Sequence, residues 1–86
     1  MKFRYHKSFQ KQLLKLSPTK QELCKERLIL FSAHSDHPLL YKHFLKGKYN
    51  DHCSLSAGGD LRMIYREVGS DEVELVAIGT HSQLYK

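Results

Sequence analysis

His52-Cys53-Ser54-Leu55-Ser56-Ala57, then Gly58-Gly59, then Asp60-Leu61-Arg62-Met63-Ile64-Tyr65-Arg66-Glu67-Val68 is the stretch that decides the fold. Cys53, Leu55 and Ala57 alternate with His52, Ser54 and Ser56, the period of two expected of a strand with one buried face. The glycine pair supplies a hairpin turn, so Asp60 to Val68 returns as a second strand. Gly69-Ser70-Asp71 turns the chain again. Val73 to Gly79 is apolar at both parities apart from Glu74, as befits the central strand of a three-stranded meander with both faces covered.

Upstream of the meander the period changes. Met1 to Tyr5 alternates Phe3 and Tyr5 with basic residues, which suits a short edge strand. Phe9, Leu13 and Leu16 recur at helical spacing among Lys7, Lys11, Gln12 and Lys15, predicting an amphipathic helix over Ser8 to Leu16. Ser17-Pro18-Thr19 breaks it and opens a second helix running to about Ala33. Either Ser17 caps with Pro18 in the first turn, or Thr19 and Glu22 form a capping box. Ser35-Asp36-His37-Pro38 ends the helical hairpin, because the residue before proline is disfavoured in helical geometry. Leu39 to Asp51 is expected to be a loop hinged at Gly47. The order β-α-α-β-β-β makes an α+β fold with the helical hairpin packed on one face of a small, mostly antiparallel sheet.

The chain has 86 residues, which sets an expectation of one domain over 1–86 with little core to spare. Fourteen Lys and Arg against nine Asp and Glu give a net charge of +5, suited to nucleic acid, an acidic membrane surface or an acidic protein. The N-terminus has no apolar signal region, and no run approaches the length of a membrane span, so a cytoplasmic protein without membrane contact is expected. Cys24 and Cys53 lie far apart with no metal-site spacing around them, which argues against a disulfide framework or a zinc knuckle. Six histidines invite a metal reading, for instance His34 and His37 with Asp51 and His52, but no HExxH-type pattern surrounds them. Gly58-Gly59 is followed by neither a helix start nor Lys-Ser/Thr, so it is a turn and not a phosphate-cradling loop.

The residues that carry chemistry fall in two places. Arg62 sits in an apolar strand context where an unpaired charge is costly. It therefore either holds an anionic ligand such as a phosphate, or pairs across strands with Asp51, Asp60 or Glu74. His81 follows Gly79-Thr80 at the end of the last strand, where an imidazole can exchange a proton near neutral pH. His43, beside Lys46 and Lys48, lies in a basic loop. On composition alone each histidine and lysine is equally well a solvated surface residue.

Three blocks, His43-Phe44-Leu45-Lys46-Gly47-Lys48-Tyr49, Gly59-Asp60-Leu61-Arg62-Met63-Ile64-Tyr65-Arg66 and Ile78-Gly79-Thr80-His81-Ser82-Gln83-Leu84-Tyr85, resemble the YafQ branch of the RelE/ParE toxin superfamily. The resemblance implies a toxin of a type II toxin–antitoxin module, with an antitoxin protein as partner. It implies an endoribonuclease that cuts mRNA in the ribosomal A site without a metal or other cofactor. By position, His43, Asp60, Arg62, His81 and Tyr85 match catalytic residues, and Lys46, Lys48, His52 and Ser56 fall where RNA is bound. His43 or Asp60 would help deprotonate the 2′-OH, Arg62 with Lys46 or Lys48 would stabilise the phosphorane, and His81 would protonate the leaving oxygen. Ser56 stands where YafQ-like sequences usually place a histidine, Leu61 replaces a Trp, and Phe44 replaces the common Pro. The alternative is a toxin-like protein without nuclease activity, either a ParE-like gyrase inhibitor or a chain that binds only its antitoxin.

Overall fold

Gly58 and Gly59 have φ of 101° and 54°, a region that side chains with a Cβ rarely adopt, and they reverse the chain between two strands. The turn is closed by Ala57 N–H donating to Leu61 O at 2.8 Å and Leu61 N–H donating to Gly58 O at 3.0 Å. The computed structural model of the chain describes residues 1–85. Its elements are β1 (Lys2–Tyr5), α1 (Lys7–Leu14), α2 (Pro18–Ala33), β2 (His43–Phe44), β3 (Cys53–Ser56), β4 (Leu61–Gly69), β5 (Glu72–Thr80) and α3 (His81–Leu84), with short 3₁₀ turns at Pro38–Leu40 and Gly47–Tyr49. The five strands run in the order β1-β5-β4-β3-β2, with β1 parallel to β5 and every other pair antiparallel.

The meander and the helical pair stand as the sequence predicts, with corrections at the joints. The middle strand of the meander and of the sheet is β4 and not β5, because β4 pairs with both β3 and β5, while β5 is interior only through β1 on its far edge. α1 ends at Leu14, short of the expected Leu16, leaving Leu14 75% exposed. Of the two caps open for α2, Ser17 is the one used: its Oγ accepts from Lys20 N–H at 3.3 Å, with Pro18 in the first turn. The expected loop 39–51 contains β2, which pairs His43 with Ser54 and Phe44 with Cys53. A two-residue strand is too short to show a period. Asp60 belongs to the turn and not to the strand, since β4 begins at Leu61.

The main core lies between the helices and one sheet face. Phe9, Cys24 and Phe31 pack against Leu55, Met63 and Leu75, all nearly sealed from solvent. Each such large side chain contributes roughly 1.5–3 kcal/mol of burial free energy. The Phe31 and Tyr65 rings meet at 4.9 Å. Burial of Cys24 pushes its thiol up to about 11. Tyr65 is raised as well, by burial first and then by its hydrogen bond with Cys53.

β1 stops at Tyr5, opposite Leu75, so the outer edge of β5 beyond it would be bare. α1 closes that edge. Ser8 Oγ donates to Val76 O, and Gln12 Oε1 accepts from Ile78 N–H at 2.8 Å. A bulge lets Tyr65 face Leu75 while Ile64 faces Ala77, so the extra residue Val76 shifts the parity of β5. That shift accounts for a strand apolar at both parities. A second, smaller cluster therefore forms on the face away from the helical pair: Ile64, Ala77 and Leu84, covered by Leu45, Tyr49, Val76 and Tyr85. Among the described residues no helix is long and apolar enough to cross a membrane.

Candidate functional site

Strand register assembles the site on this second face. Arg62, Ile64 and Arg66 alternate along β4 with the core residues Leu61, Met63 and Tyr65, and so point away from the helical pair. Ser56, Arg62 and Gly79 lie directly opposite one another across β3, β4 and β5. The next row is His43, Ser54, Ile64 and Ala77. Arg62 thus shares a face with His43, across two strands.

Gly79 is where the chemistry at the C-terminus becomes possible. A Cβ there would lie 2.9 Å from Gln83 Oε1 and 3.5 Å from Leu84 Cδ2, so its absence lets α3 fold back onto the sheet. The turn is locked by a capping box in which Gln83 N–H donates to Thr80 Oγ1 at 3.3 Å and Thr80 N–H donates to Gln83 Oε1 at 2.8 Å. Leu84 inserts into the second cluster. His81, the first residue of α3, is left exposed beyond the Arg62 row, because Thr80 pairs with Leu61 and Gly79 with Arg62. The Thr80-His81-Ser82-Gln83 signature of this cap is legible in the sequence, although the helix was not predicted from it.

From His81 a row of rings crosses the face. His81 and Tyr85 lie 4.7 Å apart, Tyr85 meets Tyr49 edge-on at 6.1 Å, and Tyr49 lies 5.9 Å from His52. Lys48 Nζ sits 5.4 Å from the Tyr49 ring centroid. Tyr49 joins the predicted residues into one surface, yet it carries no polar motif that would single it out in the sequence.

Arg62 is half-buried and forms no ion pair among the described residues. Its Nη1 donates to Gly59 O at 3.1 Å and Leu61 O at 3.4 Å, which aims the guanidinium without neutralising it. Of the three carboxylates open to it on sequence, Glu74 is held by Nε and Nη2 of Arg66 at 3.0 Å. Asp51 and Asp60 are exposed and unpaired with it. The cross-strand ion pair is therefore absent.

The remaining predicted residues are placed less uniformly. His43 and Lys46 are exposed at the β2 side of the sheet, where His43 Nδ1 donates to Tyr41 O at 3.0 Å. Ser56 is 6% exposed and its Oγ accepts from Gly58 N–H, so it is bound up in the turn and not offered to a ligand. Its neighbour Ser54 is wholly buried with no partner for its hydroxyl among the described residues. Among the described residues no three His, Cys, Asp or Glu side chains group as a metal site would require.

This architecture is shared with solved toxins. A copper-bound mutant toxin from Helicobacter pylori is 26% identical, with 99% of each chain covered and a TM-score of 0.75. YafQ from Escherichia coli strain BL21(DE3) is 17% identical over 98% of this chain and 97% of its own, with a TM-score of 0.80. The toxin of the E. coli DinJ-YafQ toxin–antitoxin complex is 18% identical over 98% of this chain and 96% of its own, with a TM-score of 0.76. No curated protein matches the sequence. The model of the bacterial toxin of type II toxin–antitoxin systems, YafQ, matches residues 1–86. With that match over the full sequence, the chain belongs to the YafQ family of type II toxin–antitoxin toxins.

Proposed function

We propose that this toxin is an endoribonuclease that cuts mRNA in the ribosomal A site by attack of a 2′-OH on the adjacent phosphate. The observation that carries this reading is the half-buried Arg62 guanidinium, aimed by two carbonyls and unmatched by any carboxylate among the described residues, on the face where α3 presents His81. A fixed cation with no internal counter-ion is suited to charge that develops on a phosphoryl oxygen. The 2′-oxygen forms a bond to phosphorus as His43 or Asp60 takes its proton. The P–O5′ bond then breaks, and His81 delivers a proton to the departing 5′-oxygen. The products are a 2′,3′-cyclic phosphate and a 5′-hydroxyl end, and atoms and charge balance without an external reactant. Tyr85 supports the His81 ring, while Lys46, Lys48 and His52 supply positive and stacking surface for the strand.

A net charge of +5 suits both RNA and an acidic protein partner. The E. coli relative is held in a complex with an antitoxin, which supports an antitoxin as partner of this chain. The test is inducible expression in a bacterial host with mRNA 5′ ends mapped for wild type and His81→Gln. Codon-phased ends that disappear in the variant are expected. Ser56 favours a second reading, a binding protein without nuclease activity, because a buried hydroxyl engaged in a turn cannot replace a catalytic imidazole. Growth arrest without new ends would establish that reading instead.

A further inference from the structure

Beyond the Arg62 row the same face holds a separate cavity of about 430 Å³. Its polar lining includes His6, Lys48, His52 and Arg66, and Tyr49 and Val76 give it apolar surface. Glu74 is its one acidic lining residue, and both Nε and Nη2 of Arg66 hold that carboxylate. Among the described residues Lys48 forms no ion pair. His6 is the N-cap of α1: Ser8 N–H donates to its Nδ1 at 3.1 Å and Ser8 Oγ lies 2.9 Å from the same atom, so the ring is held in place. His52 Nδ1 donates to Asn50 O at 2.9 Å, so its ring too is held in one orientation. The cavity therefore combines two held imidazole rings, a tyrosine ring and a lysine. That combination suits a phosphodiester with an adjoining base.

Its position relates it to the cleavage site. Arg62 and Arg66 lie on one face of β4, about 13 Å apart at the rise of an extended strand. A few nucleotides of extended single strand span that separation. Tyr49 stands between the two ends, edge-on to Tyr85 on one side and near His52 on the other. We infer that the cavity bounded by His6, Lys48, Tyr49, His52 and Arg66 is a second phosphate-binding subsite, which seats a nucleotide flanking the scissile bond of the RNA strand. The inference rests on the nuclease reading and adds His6, Tyr49 and Arg66 to the RNA surface.

The experiment titrates a short 2′-O-methylated oligoribonucleotide, which cannot be cleaved, into isotope-labelled wild-type protein and follows amide and imidazole resonances. Shifts at His6, Lys48, His52 and Arg66 are expected alongside those at Arg62 and His81. His6→Asn keeps a side chain able to cap α1 while removing the imidazole ring from the cavity wall, and Lys48→Met removes the lysine charge. Combined, they should weaken binding roughly tenfold, the scale of one lost hydrogen bond to a charged group. The slope of log affinity on log salt should fall by about 0.7 for the one phosphate contact. Shifts confined to the Arg62 end, with affinity unchanged in the double variant, would overturn the subsite and leave the nuclease reading intact. No RNA-induced shifts anywhere, together with weaker antitoxin binding by the double variant, would assign the cavity to an acidic protein and overturn the subsite. Loss of cleavage in His81→Gln with oligonucleotide binding retained tests the nuclease reading separately.

Discussion

The guanidinium of Arg62 is the residue on which chemistry and structure separate most cleanly. Among the described residues its side-chain hydrogen bonds go to two carbonyl oxygens, those of Gly59 and Leu61, and it forms no ion pair, so it contributes little to the fold. Arg62→Ala should therefore leave thermal stability within about 1 kcal/mol of wild type. The same change should lower RNA cleavage by roughly 10²- to 10³-fold, as loss of a charge stabiliser at a developing oxyanion does. Melting curves and mapped 5′ ends on the same preparation measure both numbers. A large loss of stability would show that Arg62 is structural. Arg62→Lys should recover only part of the activity, since a point charge cannot keep both the turn contact and a planar grip on phosphate.

At the scale of elements, the β5–α3 junction brings His81 and Tyr85 over the sheet. It depends on Gly79 having no side chain and on the reciprocal Thr80–Gln83 cap. Gly79→Ala places a methyl group 2.9 Å from Gln83 Oε1, the atom that accepts from Thr80 N–H. Loss of the cap should cost about 1 kcal/mol. A four-residue helix has no further stability of its own to draw on. Amide hydrogen exchange is expected to accelerate in 80–85 while the protection of β4 is kept, with cleavage falling further than stability does. Unchanged exchange in 80–85 would show that α3 is held by Leu84 alone. The cap was available in the sequence as Thr-x-x-Gln, but the contact that requires Gly79 was not. Only the folded-back helix puts Gln83 over it.

Taken as a whole, the molecule has two apolar layers of unequal size on the two faces of one sheet, and its pH response belongs to the larger. Cys24 lies in that core with its thiol raised from 9.0 to about 11 by burial, and Tyr65 is raised in the same direction. Both are neutral in the folded protein and ionise more readily once unfolded. Above about pH 9 the unfolded state binds fewer protons than the folded one, so stability falls as pH rises. The contribution of Cys24 should be complete below pH 9 and decline toward about pH 11, with Tyr65 extending the loss upward. Urea midpoints measured across that range check the sign. Cys24→Ala should flatten the first part of the decline, at the expense of about 1 kcal/mol or more from the cavity it leaves.

Alternation, caps and glycine turns are local signals that survive without tertiary context, and they made the meander and the two helices ahead of it legible in the sequence, while Arg62 and His81 stood out through the family resemblance. The sequence did not determine β2 or the bulge at Val76, since a two-residue strand and a single inserted residue leave no period to read. Nor did it settle the partner of Arg62, which depends on Arg66 taking Glu74 across the sheet. Tertiary structure alone decided that Ser56 is sealed in a turn, that Asp60 lies outside the strand, and that Tyr49 links His52 to Tyr85. Those outcomes follow from strand register and from α3 folding back over Gly79, relations between residues distant in sequence or in different elements, which local pattern does not encode.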